Sequence, residues 1–174
     1  MTTIGNDEQV TRSTDISVES LLQEVNVRSD EGQTAPEITC DDQFSHQKQS
    51  RPQQVLSYAL NTLFSDTDFQ FSEHVVKQNL DEVLLMLIAL REDGTHGKGL
   101  MDDLGIHFQS RLSPGTVYPR LHDLEERGLL DRQEMVRTKE YLIADDDQVR
   151  AHLEHAMAQH LTLGYALYLS LGDI

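Results

Sequence analysis

The sequence predicts a mainly α fold with a small β-hairpin, and three observations carry that reading. Apolar residues recur at helical spacing in five segments between Ser50 and Leu171. Two short stretches of weak apolar alternation, LLDRQEM (residues 129–135) and KEYLIADD (residues 139–146), flank a tip at VRTK. Cap chemistry punctuates the helices, most clearly in LSPGTVYPRLHDLEERGLL (residues 112–130), where Ser113-Pro114 opens a helix and Gly128 closes it.

Residues 1–50 are rich in Ser, Thr, Gln, Asn, Asp and Glu and hold one aromatic, Phe44. They are expected to form a disordered acidic and polar tail, because so few apolar groups do not offset chain entropy. SVESLLQEVNV (residues 17–27) has an amphipathic stripe with little to bury. Residues 51–71 are expected to be a short helix and a linker. Val55, Tyr58 or Ala59, Thr62 and Leu63 recur after Pro52, and SDTDFQF follows as a loop.

The texture changes near Ser72. HVVKQNLDEVLLMLIALREDG reads as a helix around the dense apolar block 83–90, with Asn79 and Glu82 as a capping box and Gly94 as the stop; an earlier start at Ser72 is the alternative. THGKGLMDDLG reads as a second helix ending at Gly105, with Leu100, Met101 and Leu104 inward. In the third helix Val117, Leu121 and Leu124 form the buried stripe, and Pro119 is accommodated near its start. A long helix then runs from Asp146 to Leu171. Val149, Leu153, Ala156, His160, Leu163, Leu167 and Leu171 step by three or four along it, close to a heptad seam. Three helices followed by a hairpin make a winged helix-turn-helix at residues 72–145, and the long helix forms a separate C-terminal segment at 146–174.

Charge bounds the function. The formal net charge is −16, from 14 Lys+Arg against 30 Asp+Glu in 174 residues. Acidity of that degree ordinarily disfavours nucleic acid, since phosphate contacts supply much of the affinity. It suits a protein kept soluble in concentrated salt, where repulsion between carboxylates is screened. An ordinary acidic protein is the alternative. Residues 111–139 nevertheless carry 6 basic and 5 acidic groups, the one stretch that leans basic. A local phosphate footprint on an acidic body has that form.

Hydrophobic residues make up 38% of the chain, short of the roughly 45–50% usual for globular chains, so part of it is expected to lie outside a core. The single cysteine, Cys40, excludes an intramolecular disulfide and an all-cysteine metal site. No apolar run nears the roughly 18 residues that span a bilayer, and no secretory signal opens the chain, so a cytoplasmic protein without a membrane partner is expected. There is no nucleophile elbow, phosphate loop or paired-carboxylate signature, so no catalytic residue is assigned. His152, His155 and His160 invite a metal hypothesis, but their spacing is weak, and no metal or cofactor is assigned.

HGKGLMDDL (residues 96–104) and LSPGTVYPRLHDLEERGLL, followed by the strand pair and the long helix, resemble the PadR-type transcription regulators. The resemblance covers roughly residues 80–171. It implies a homodimer, paired through the C-terminal helix, that binds double-stranded DNA. It places Ser113, Gly115, Thr116, Tyr118 and Arg120 nearest the DNA and makes the hairpin tip, with Arg137, Thr138 and Lys139, the wing. The wing departs from the family in being short and lacking a Gly-Arg-Pro run. The acidity points to the family's haloarchaeal branch, whose members include regulators of stress responses.

The residues suit those roles on their own chemistry. A helix N-terminus favours phosphate, Gly115 permits close approach, Thr116 and Tyr118 donate hydroxyl bonds, and Arg120 can fork onto guanine. Tyr118 can instead pack against the wing, and Arg127 and Arg132 can pair with Glu126 and Asp131. The expected function is a sequence-specific regulator reading an inverted repeat, with salt cations trapped between its acidic body and the DNA. The alternative is a winged-helix protein-interaction module that binds no DNA.

Overall fold

The computed structural model describes residues 50–63, 69–91, 94–135 and 138–171. The expected tail lies outside these residues. The chain divides into two units, one holding most of the first helix and the other the start of that helix together with Gln70–Ile174. The first helix, α1 (Arg51–Leu63), sits where the periodicity places it, with Pro52 in its first turn.

The second unit runs α2 (Glu73–Gln78), α3 (Leu80–Ala89), β1 (Thr95–His96), α4 (Gly97–His107), α5 (Pro114–Glu126), β2 (Leu130–Glu134), β3 (Lys139–Ile143) and α6 (Asp146–Leu171). Its helices and small antiparallel sheet form a winged helix. Among the described residues no helix is long and apolar enough to cross a membrane.

The helix around the apolar block opens at Asn79, as read, with Leu80 its first residue. The earlier start at Ser72 belongs to a separate short helix, α2, which Ser72 caps by accepting the Val75 N–H at 3.3 Å and which ends where Asn79 leaves helical geometry (φ −113°, ψ 31°). Two local expectations are corrected. The capping box with Glu82 does not form, since Asn79 makes no side-chain cap to α3. The helix expected to end at Gly105 continues to His107, and the left-handed residue after it is Gln109 (φ 51°).

The ends of α5 follow the sequence. Pro114 opens it. At its close, Gly128 (φ 73°) donates its N–H to Glu125, and Leu129 donates to Leu124. This reciprocal pair satisfies the last carbonyls, and the left-handed φ favours glycine. The chain then enters β2, which pairs with β3 from Leu130↔Ile143 to Glu134↔Lys139. The expected two-stranded hairpin is a three-stranded sheet of order β1-β3-β2, because Thr95 and His96 pair with Tyr141 and Glu140. Two residues give no alternation to read.

The core follows the helical stripes. Leu84, Leu85, Leu87 and Ile88 of α3, Leu100 and Leu104 of α4, and Val117, Leu121 and Leu124 of α5 are buried. Each such side chain contributes about 1.5–3 kcal/mol on burial. Met101, expected inward, is only half-buried. Leu130, Tyr141 and Val149 close the core from the sheet and from α6. Beneath it Arg91 donates twice to the buried Asp103, at 2.7 and 2.6 Å, joining the end of α3 to α4. Asp145 caps α6, accepting the Gln148 N–H at 3.0 Å, and bonds from Gln148 hold its carboxyl below the usual range.

Candidate nucleic-acid interface

Burial of Val117, Leu121 and Leu124 turns the opposite side of α5 outward, so Ser113, Gly115, Tyr118 and Arg120 are exposed and Thr116 is half-exposed. Ser113 holds the extended N-cap geometry (φ −75°, ψ 154°), but its hydroxyl takes no backbone N–H. It lies 3.1 Å from the Thr116 hydroxyl instead, while the Ser113 carbonyl accepts from Thr116 and Val117. Two exposed hydroxyls therefore sit at the positive end of the helix dipole.

Tyr118 is placed by a glycine. A Cβ on Gly97 would lie 2.5 Å from the Tyr118 ring and 2.9 Å from its hydroxyl. The ring thus rests on the first residue of α4, which brings the starts of α4 and α5 together. Tyr118 also neighbours Tyr141 of β3, whose phenol is pushed up mainly by burial and then by Tyr118. The sheet extends the same surface. Because His96 pairs with Glu140, Lys139 begins β3 beside the strand that leads directly into Gly97 and Lys98.

The arginines are less available than the sequence suggests. Arg120 lies 3.7 Å from Asp81 of α3, and Arg127 reaches the same carboxylate at 3.0 Å. Arg132 pairs with Glu125 at 3.2 Å. Arg127 and Arg132 are therefore engaged, though not with the adjacent Glu126 and Asp131. Among the described residues, Lys98, Arg111 and Lys139 are exposed and meet no carboxylate. Lys98 escaped the sequence reading. Its signal was position: it follows the glycine that seats Tyr118. Thr138 is exposed, its carbonyl accepting from Met135 to close the wing, while Arg137 lies outside the described residues.

The residues expected at a dimer seam divide along α6. Val149 is 3% exposed and belongs to the core of the protomer. Leu153 and Ala156 are half-buried. His160 is exposed but meets Asn79 at 2.6 Å. Leu163, Leu167 and Leu171 are exposed, as are Tyr165, Tyr168 and Leu169. Among the described residues no group of three or more His, Cys, Asp or Glu is arranged to hold a metal ion.

Residues 84–152 match the Transcriptional regulator PadR-like family. The transcriptional activator GvpE1 of Halobacterium salinarum is 37% identical over 111 residues, which cover 64% of this chain and 58% of that protein. The transcriptional activator GvpE of Haloferax mediterranei is 44% identical over 92 residues, covering 53% of this chain and 47% of that protein. The chain thus spans about half the length of the curated relatives it matches. A solved transcriptional regulator from Clostridium thermocellum aligns with 56% of this chain and 96% of its own, at 19% identity and a TM-score of 0.47.

Proposed function

We propose that the chain, whose residues 84–152 match the PadR-like family, is a DNA-binding transcription regulator, acting as a homodimer on an inverted repeat. The observation that carries this is the exposed start of α5, with its paired hydroxyls, flanked by the uncompensated cations Lys98, Arg111 and Lys139. The α5 start enters a major groove, with Ser113, Gly115, Thr116 and Tyr118 at its edge. The wing, with Arg137, Thr138 and Lys139, lies along the adjacent backbone. Residues 72–145 serve as the binding domain and 146–174 as the dimerisation helix. The relatives named as transcriptional activators support the same reading.

Leu163, Leu167 and Leu171 are each over half exposed. At helical spacing they make a stripe suited to a second copy of α6. A two-fold pair sets its half-sites about 10 base pairs apart, or a multiple of that. High-salt adaptation belongs to the same proposal, with cations held between the acidic body and the DNA.

Selection of duplexes from a random-sequence pool by the purified chain, at molar salt, tests the reading. The expected result is enrichment of an inverted repeat with that spacing. Recovery of no preferred sequence would favour a second reading, a winged-helix module for protein partners. The pairing of Arg120 with Asp81 is the observation on that side.

A further inference from the structure

Asp81 is the second residue of α3, yet its carboxylate serves α5. Arg120 and Arg127 stand seven residues apart, on one side of that helix, and both reach it. The two contacts differ in kind. Arg127 donates a hydrogen bond to Oδ2 at 3.0 Å and also meets His152 of α6 at 3.5 Å, so it joins three helices. Arg120 is half-exposed and stands 3.7 Å from Oδ1, with no hydrogen bond. That oxygen is buried and accepts none from any other group among the described residues. Half-exposed and without a hydrogen bond in this contact, the Arg120 guanidinium leaves it at little cost.

We infer that Asp81 is a positioning residue that restrains Arg120. It neutralises the guanidinium against the protein until a well-placed phosphate or guanine edge takes its place. The inference rests on the DNA-binding reading proposed above. Random DNA offers loose, water-separated phosphates and does not displace the carboxylate, so it gains nothing from Arg120. A cognate site that presents two acceptors to the planar fork does displace it. Asp81 thereby widens the gap between cognate and random DNA by weakening the random complex, a specificity device built on the disfavoured competitor. A role confined to the dipole of α3 would alter stability without altering the salt response.

The test uses the full chain, a mixed-sequence duplex and fluorescence anisotropy across a KCl series. Asp81→Asn keeps an oxygen for Arg127 and removes the charge. It is expected to bind this duplex roughly threefold to tenfold tighter. Its slope of log affinity against log salt is expected to shift by about −0.9, the signature of one added phosphate contact. Both changes are expected to vanish in the Arg120→Ala background. Arg120→Ala alone is expected to change random-duplex affinity by no more than about twofold, which keeps the inference testable should Asp81→Asn misfold. Unchanged affinity and slope in a folded Asp81→Asn, the same gain without Arg120, or a large loss in Arg120→Ala would each overturn it. Absence of duplex binding by every version at every salt would instead remove the DNA-binding reading, and the inference with it.

Discussion

At the scale of single residues, the site depends on which side chains are held and which are free. Tyr118 is held by the absence of a side chain at Gly97. Gly97→Ala would push an aromatic ring that is 42% exposed and able to swing outward. The expected stability cost is therefore about 1 kcal/mol, the lower end for overpacking. Duplex binding should weaken as in Tyr118→Ala, and the double substitution should add nothing further. Additive effects in a double-mutant cycle would separate the two residues. Arg120→Ala is expected to cost roughly 1–3 kcal/mol on the selected site and to relax preference at one base pair. An unchanged footprint and affinity there would remove Arg120 from the reading role.

His107 sets a pH response at the same scale. Its ring is 5% exposed, and burial holds it below the ordinary 6.5, with Asp103 opposing and Arg91 reinforcing. The unfolded chain therefore binds this proton more readily than the folded chain. The contribution to stability is full above about pH 6.5 and is lost as pH falls below it. His107→Gln should flatten that part of a stability-against-pH curve measured by urea denaturation. An identical curve would assign the acid sensitivity elsewhere.

At the scale of elements, two joints matter most. Arg91 and Asp103 lock α3 to α4 with a two-pronged bond onto a carboxylate that is only 8% exposed. Arg91→Ala strands that charge and should cost about 2–4 kcal/mol, less than a fully enclosed pair because Arg91 reaches solvent. A denaturation midpoint unmoved by the substitution would show that Asp103 finds another partner. The outer half of α6 is the second joint. Leu163→Glu with Leu167→Glu should leave the helical content intact, since both positions face solvent in one protomer. The same pair should halve the mass seen by sedimentation, and an undiminished mass would place the seam elsewhere.

Elements were legible in the sequence where periodicity and cap chemistry agreed. The bounds of α6 and both ends of α5 follow from the apolar stripe, Ser113-Pro114 and Gly128. What was hidden depends on contacts between distant segments. That the stretch after Ser72 is a helix of its own, closed by the Asn79 amide bond to Val75, is not announced by spacing. The two residues of β1 are strand only because β3 lies beside them. Asp81 lies about forty residues before Arg120, so local reading offered Arg127 and Arg132 only their neighbours. The exposed face of α5 was legible, whereas the engagement of Arg120 was not.

At the scale of the molecule, the proposed function requires a net charge of −16 to face a polyanion through a small patch. Lys98, Arg111 and Lys139 lack carboxylate partners among the described residues, while Arg120, Arg127 and Arg132 are paired. On the proposed reading the patch would supply few phosphate contacts, so few cations would leave the DNA on binding, and the acidic body would take up cations between itself and the duplex. The direct measurement is affinity for the selected inverted repeat, titrated from low salt to the molar range. The expected result is a flat or rising affinity as salt increases. A steep fall from low salt upward, as in a basic binder, would contradict the claim that cations bridge this protein to DNA.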